Sequence, residues 1–336
     1  MACRCVVLAC VFTACCYAVV SFILRALGYS RRTGALRTVG EAIFSKGFLR
    51  IWSKNEICLF APPNYIEPPL HSDPRVGVVS VMKAPLGLDT WLKHHRQSIG
   101  AVRFFLRIED TPEVQLQLRE EQDVSVVHAS GVRSYHSIMD RQHQHVAASI
   151  ESARAAGLTH LLHIDGDELL HPPHGVARLM RHLSSSSASC ISVSNIEAVF
   201  DQEDCVDPFV STTKFRTRPS EFSAYTNGKA FGALSDPTLA AHGPHRFTGP
   251  EEQLASHVAV VLHYESPCIE IWKQKFVGYA KDAPDACARN EIPFPFYCES
   301  MAAVGDAEEA QSTWKRWKLT PRHRAGIVEL SPLAHA

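Results

Sequence analysis

From Arg75 to Ile164 the chain repeats one pattern, a short β-branched run followed by a helix-compatible stretch, and this alternation narrows the fold more than any other feature. Val76-Gly77-Val78-Val79-Ser80-Val81 is a run of the kind buried on both faces of a parallel sheet. Thr90 to Ile99 follows, with Trp91 and Leu92 available for packing, and is predicted to be a helix. A second strand is predicted over Val102 to Ile108, ending at Glu109-Asp110. Thr111-Pro112-Glu113 then supplies an N-cap, an N1 proline and a first-turn acid for another helix. Asp123 to Val127 gives a third strand, a helix spans Ser137 to Ala156 with Gly157 closing it, and Leu158 to Ile164 gives a fourth strand. Alternating strands and helices predict an α/β fold, Rossmann-like, with an open, mostly parallel sheet flanked by helices. At 336 residues and 46% hydrophobic content the chain can bury a sizeable core.

The fourth strand runs directly into His163-Ile164-Asp165-Gly166-Asp167-Glu168, three carboxylates in four residues. Carboxylates this close raise one another's pKa unless open solvent or a hard cation such as Mg²⁺ or Mn²⁺ offsets the charge. In open parallel sheets ligands bind beyond the carboxyl ends of the strands, where both Asp110 and this cluster fall. Two acidic strand ends on one rim favour a metal site over a solvated acidic turn.

The formal net charge of -1 argues against nucleic acid as a partner, since phosphate neutralisation needs clustered Lys and Arg. Neither G-x-G-x-x-G nor a P-loop sequence occurs, which argues against dinucleotide and P-loop chemistry. Beyond Ser184-Ser187 the pattern loosens. Cys190 to Ile196 reads as a strand, a helix begins near Ile269, and Glu308 to Lys318 is amphipathic.

Cys5 to Leu24 is apolar throughout, without a charged residue, and long enough to span a bilayer as a helix; a cleaved signal is the rival reading. The expected organisation is a tail at 1–4, a transmembrane signal anchor at 5–24, a stem at 25–75 broken by prolines, a catalytic domain at 76–320 and a tail at 321–336. Six cysteines outside the apolar stretch, Cys58, Cys190, Cys205, Cys268, Cys287 and Cys298, could form three disulfides in an oxidising lumen, with chance buried thiols as the rival. A single-pass type II protein of the Golgi or endoplasmic reticulum, with a lumenal catalytic domain, is the expected placement. The flanking charges oppose it, because Arg25, Arg31, Arg32 and Arg37 outnumber Arg4.

Several blocks occur in a telling order: Met82-Lys83, W-L-K-H-H at Trp91 to His95, F-F-L-R-I-E-D at Phe104 to Asp110, and L-L-H-I-D-G-D-E-L-L at Leu161 to Leu170. They are followed by Asn227-Gly228-Lys229, His242-Gly243-Pro244-His245-Arg246-Phe247, Leu262-His263-Tyr264-Glu265-Ser266, Trp272 and Lys275-Phe276. In this order, over residues 76 to 280, the chain resembles glycosyltransferase family 92 and related family-2-like enzymes of the GT-A fold. It departs from many of them where Ala84-Pro85 follows Lys83. The resemblance implies Asp167 as a direct metal ligand, Asp165 touching the ribose or reaching the metal through water, Asp110 contacting the nucleotide, and inversion at the transferred sugar.

The resulting expectation is a metal-dependent glycosyltransferase using Mn²⁺ or Mg²⁺. It would move a hexose from a nucleotide-sugar donor, UDP-linked and exemplified by UDP-galactose, to a glycan or glycoconjugate acceptor. Arg141 and Gln142, one helix before the acidic run, are candidates for the diphosphate or base; Lys229 and Arg246 are candidates for phosphate, with a surface salt bridge as the rival for each. His242, His245 and His263 are candidates for a further metal ligand, since neutral imidazole binds Mn²⁺ beside carboxylates. Glu265, with Glu251 and Glu252 behind it, is a candidate base. Two alternatives stand beside this reading: a metal-dependent hydrolase built on His163, Asp165 and Asp167 with His242 and His245, and a non-catalytic lectin-like member of the fold.

Overall fold

The computed structural model describes residues 56–131, 138–200, 203, 204, 206–319 and 326–330, all within the compact unit Asn55–Ala336. The expected anchor at Cys5 to Leu24 and most of the stem lie outside these residues. Among the described residues no helix is long and apolar enough to cross a membrane.

The first strand, β1 (Val76–Lys83), is followed by α1 (Leu88–Ser98), β2 (Ala101–Glu109), α2 (Pro112–Gln117), β3 (Val124–Ala129), α3 (Ile138–Ala155) and β4 (His160–His163). β4, β1, β2 and β3 lie side by side and parallel. Alternation sets their two faces. Val76, Val78, Phe104 and Leu106 enter one apolar core with Trp91 and Leu92 of α1, whereas Val79, Phe105 and Leu161 meet Val146, Ile150 and Ala153 of α3 in another. One capping expectation differs from the structure: Thr111 gives α2 no side-chain cap. Instead the Thr111 hydroxyl donates to Glu109 O and accepts from Ala84 N, each at 2.8 Å, tying the ends of β1 and β2 together.

The chain continues through β5 (Glu168–His171), α4 (Val176–Ser185), β6 (Cys190–Val193), β7 (Asn195–Val199), α5 (Pro208–Ser211) and β8 (Lys214–Arg216). Next come β9 (Lys229–Ala233), β10 (Ala241–His242), β11 (Arg246–Phe247), β12 (Glu251–Gln253) and β13 (Val260–His263). The last elements are α6 (Ile269–Asp282), α7 (Pro295–Ala303), α8 (Ala307–Lys318) and β14 (Ile327–Glu329). The central sheet has seven strands among the described residues, in the order β12-β6-β9-β4-β1-β2-β3. β9 is antiparallel to both neighbours and the remaining ladders are parallel, so the fold is mixed α/β around a largely parallel sheet.

A second sheet, β14-β8-β7-β13-β5, is mainly antiparallel and was not expected. Its strands are three to five residues long and β5, β7 and β13 are wholly buried, so neither length nor alternation marked them. Two boundaries also differ from expectation. Leu59, in the expected stem, packs into the main core, and Ile57 N donates to Thr217 O at 2.7 Å. At the other end Ile327–Glu329, in the expected tail, completes the second sheet. Helices α6, α7 and α8 close on a third core around Trp272, Phe276, Phe296 and Trp314.

The full set of three disulfides is not formed. Cys287 is bonded to Cys298 and Cys268 is also in a disulfide, but Cys58 and Cys190 are free thiols. Cys190 is buried in β6 against the second core, where packing rather than pairing accounts for it.

Candidate functional site

At the carboxyl ends of β1, β2 and β4 the sheet rim opens into a cleft of about 470 Å³, closed on its far side by α6 and α7. The backbone leaves β4 at Ile164 and turns through Asp165 to Asp167 before β5 begins. Glu168 shapes that turn. Its carboxylate accepts from Asp165 N at 2.7 Å, and its own N–H donates to Asp165 O at 3.2 Å. Burial, with Asp165 and Asp167 adding to it against Lys229, raises the Glu168 carboxyl well above the usual carboxylate range.

The register of β5 against β13 decides what Asp167 meets. Glu168 pairs with His263, and one step on, Tyr264 N donates to Asp167 O at 2.9 Å. Side chains two apart on an extended chain share a face, so His263 and Glu265 both turn toward the cleft. Tyr264 between them packs edge-on against Phe209 and Phe215 in the core. His263 Nε2 lies 3.8 Å from Asp167 Oδ2 and 3.9 Å from Glu265 Oε2. Among the described residues Asp167, His263 and Glu265 are the group whose ligand atoms converge, all within 4.8 Å of one another. Two carboxylate oxygens and one imidazole nitrogen, open on the cleft side, fit a divalent cation such as Mn²⁺ or Mg²⁺. The electrostatics agree, because burial first and Glu265 with Asp165 after it raise the Asp167 carboxyl, a cost that a bound cation relieves.

Each flank of this centre carries a lysine paired to a carboxylate. Lys229 is fully buried, ion-paired to Asp165 and 3.6 Å from Glu168 Oε2. Burial opposes ionisation of Asp165, yet Lys229 and His163 outweigh it and bring that carboxyl down to about 2. The loop before Lys229 permits this reach. Gly228 has φ 60°, and a Cβ there would lie 1.8 Å from Val193 O, so the Asn-Gly-Lys block requires glycine. On the other flank Lys275 donates to Glu265 Oε2 at 2.7 Å, and Tyr297 Oη donates to the same atom at 2.8 Å. Burial would raise Glu265, but Lys275, Lys318 and His263 hold it below the ordinary carboxylate range.

The W-L-K-H-H block acts from behind. β5 is the edge strand of the second sheet, and α1 covers its open edge with side chains one turn apart. Trp91 Nε1 donates to Glu168 O at 2.8 Å, His94 Nε2 donates to Leu170 O at 2.8 Å, and Leu170 N donates to His95 Nε2 at 3.3 Å. His95 can accept there because its Nδ1 proton is given to Trp91 O at 2.8 Å. Three backbone groups that a neighbouring strand would have satisfied are thus satisfied by one helix face.

The other residues singled out from the sequence divide. Arg141 and Gln142 line the cleft; Gln142 Nε2 donates to Asp165 Oδ1 at 3.3 Å, and Arg141 meets both oxygens of Glu109 at 2.8 and 3.1 Å. Glu109 is buried between Arg141 and Arg107 and lines the cleft itself, whereas Asp110 does not. Asp110 is held at φ 50°, accepts from Gly131 N at 2.6 Å and pairs with Lys83 at 3.3 Å. His245 lines the cleft with Nδ1 bonded to Gly228 O at 2.7 Å, and burial, then Lys229, depress its pKa to about 3.

Several expectations are corrected. Lys229 forms no surface salt bridge and presents nothing to a phosphate, because its amine is buried beneath the acidic turn. His242 is exposed on β10 and outside the converging trio. Arg246 makes the surface salt bridge that was its rival reading, 2.8 Å to Glu251, and does not line the cleft. Glu251 and Glu252 stand exposed on β12 at the far edge of the central sheet, and Glu265 is tied to Lys275 and Tyr297, which suits an anionic ligand better than a base. Asp165 is not one of the trio as a direct ligand, but it lines the cleft and faces Lys229 and Gln142. His163 is buried with neither ring nitrogen bonded and its pKa down to about 3, by burial and then Lys229; it does not join the hydrolase arrangement with His242. The sequence reading did not pick out Glu109, Lys275 or Tyr297 for a role. Lys275 stood in a noted block, and its spacing of ten residues from Glu265 carried no signal without the turn at Ser266-Pro267.

No family model matches the chain. It is similar to two glycosyltransferase-like proteins of Arabidopsis thaliana, 22% identical over 251 residues and 24% identical over 245 residues. These alignments cover 59% and 57% of this chain and 48% and 53% of the relatives, so the chain spans about half the length of the curated relatives it matches. Among solved structures it aligns with S. aureus TarS at a TM-score of 0.33 and 8% identity, over 72% of this chain and 48% of that one. It also aligns with the mannosyltransferase PcManGT from Pyrobaculum calidifontis, solved with GDP-Man and Mn²⁺, at a TM-score of 0.35 and 12% identity, over 83% and 84% of the two chains.

Proposed function

We propose that this protein is a metal-dependent glycosyltransferase of the GT-A type, related to family 92, that moves a hexose with inversion from a nucleotide-sugar donor to a glycan or glycoconjugate. A UDP-linked donor such as UDP-galactose is the reading carried from the sequence. The observation that carries the proposal is the convergence of Asp167, His263 and Glu265 at the carboxyl rim of a largely parallel sheet, inside a cleft also lined by Lys83 and Arg141. The similarity to glycosyltransferase-like proteins supports it.

Bound to that trio, a divalent cation would act as a Lewis acid on the diphosphate oxygens. Arg141, paired to Glu109, and Lys83, paired to Asp110, would offer N–H donors to a diphosphate in the same cleft. Lys275 and Tyr297 hold the Glu265 carboxylate toward the centre. In the transfer, an acceptor hydroxyl oxygen bonds to the anomeric carbon while the bond from that carbon to phosphate oxygen breaks. The nucleoside diphosphate leaves with the electron pair, and the hydroxyl proton passes to a base or to water.

We also place the catalytic domain in an oxidising lumen, tethered by Cys5 to Leu24. The Cys287–Cys298 disulfide supports that compartment. The full chain, incubated with a panel of nucleotide sugars and Mn²⁺, is expected to release nucleotide from one favoured donor and to stop on chelation. Absence of release with every donor counts against the transferase.

A further inference from the structure

Helix α6 shows two faces. Ile269, Trp272, Phe276 and Ala283 enter the third core. Ile271, Gln274, Lys275, Gly278, Tyr279 and Asp282 line the cleft, and their spacing of three, four, seven, eight and eleven residues from the first places them on one stripe. Gly278 is the informative member. A glycine inside a helix is less favourable than alanine, and close packing is the usual reason to keep one. Here a Cβ would meet nothing within 4 Å, so no neighbour in the protein requires glycine. The bare backbone faces the cleft instead, one residue before Tyr279 and a turn beyond Lys275, which holds Glu265. Tyr279 stands beside Tyr297 with ring centroids 5.9 Å apart, and Gln274 and Asp282 are exposed on either side of it along the stripe.

Arg141 and Lys83, on the sheet side of the cleft, carry donors suited to a diphosphate, and the trio meets α6 through the Glu265–Lys275 pair. A nucleophile displacing the diphosphate must come from the opposite direction. We infer that the α6 stripe is the acceptor groove and that it takes a saccharide, whose ring face would rest on Tyr279 and the open backbone at Gly278 while Gln274 and Asp282 take hydroxyl groups. From Ile271 to Asp282 the helix rises about 16 Å, room for a short oligosaccharide rather than a single hydroxyl compound. This inference rests on the transferase reading.

The test uses the full chain in detergent with a panel of methyl glycosides of galactose, glucose, mannose and N-acetylglucosamine, observed by saturation-transfer NMR, and nucleoside diphosphate with Mn²⁺ observed by calorimetry. At least one glycoside is expected to bind the wild type, and Gly278→Val and Tyr279→Ala are expected to weaken it about tenfold or more while nucleotide binding is retained. Gly278→Ala discriminates best, because it should raise Tm through helix propensity and still weaken the glycoside, whereas a purely structural glycine would give no such split. Tyr279→Phe keeps the ring and should retain binding. Glycoside affinity unchanged in Gly278→Val and Tyr279→Ala overturns the groove, as does binding of nucleotide without any glycoside. Failure of both nucleotide and glycosides to bind the wild type overturns the transferase reading together with the groove.

Discussion

Trp91 donates its indole N–H to the carbonyl oxygen of Glu168 at 2.8 Å, which fastens α1 to the residue directly behind Asp167. Both groups are fully buried, and the bond lies under the metal trio rather than in it. Trp91→Phe retains most of the ring but leaves the Glu168 carbonyl without its donor. The expected cost is about 1–3 kcal/mol in chemical denaturation. Because the turn loses its backing, Mn²⁺ affinity measured by calorimetry should fall with it. Unchanged Mn²⁺ affinity would show that the turn holds its shape without α1.

Asp167→Ala removes a group from the converging trio. Residues that merely orient metal ligands typically cost 10–100-fold in affinity, so a direct ligand should cost at least about 100-fold. His263→Ala should behave alike, and His242→Ala should leave Mn²⁺ binding at the wild-type level. Equal losses for His242 and His263 would contradict the geometry.

Lys229→Met strips the buried turn of its cation and leaves Asp165 and Glu168 facing each other. Breaking a buried ion pair from one side costs about 3–5 kcal/mol. Adding Asp165→Asn should recover part of that loss, which a two-variant comparison by urea melting measures. A double variant less stable than Lys229→Met alone would show that the pair is not the source.

Part of the acid sensitivity should come from α1, beside the buried His163 and His245. Burial, against the bond to Leu170 O, lowers His94 to about 4, and burial followed by His94 lowers His95 well below its ordinary value. Both are neutral in the fold, so their contribution is complete above the unfolded pKa near 6.5; the share of His94 is lost as pH falls through its folded value of about 4. For His94 the shift corresponds to about 3 kcal/mol. His94→Gln keeps a donor for Leu170 O and cannot titrate, so unfolding free energy measured from pH 7 to 4 should fall less steeply. An identical slope in wild type and variant would assign the acid sensitivity elsewhere.

Much of the first half of the chain was legible because strands buried on both faces read as unbroken apolar runs and their crossovers read as helices. Val76 to Val81 and Leu158 to Ile164 are the clear cases; β1 and β4 lie where those runs stand, and the acidic residues follow β4 as the sequence order requires. The second sheet was not legible. Its strands are too short for a period, and its strand β5 draws its edge partners from a helix some seventy residues earlier in the chain.

The acidic run, its place after a strand, and the occurrence of His263-Tyr264-Glu265 are properties of the sequence alone. They name a set of oxygen and nitrogen donors and a rim. Which donors meet was settled by one register, Glu168 opposite His263, because a shift of a single residue would have directed His263 and Glu265 to the opposite face of the strand, away from Asp167. The two lysines were settled in the same way. Lys229 and Lys275 look alike as isolated cations on the chain, and only the fold assigned one to Asp165 and the other to Glu265; the Lys229 ammonium, withdrawn from water, must be placed against a carboxylate, whereas Lys275 reaches Glu265 from the partly exposed face of α6.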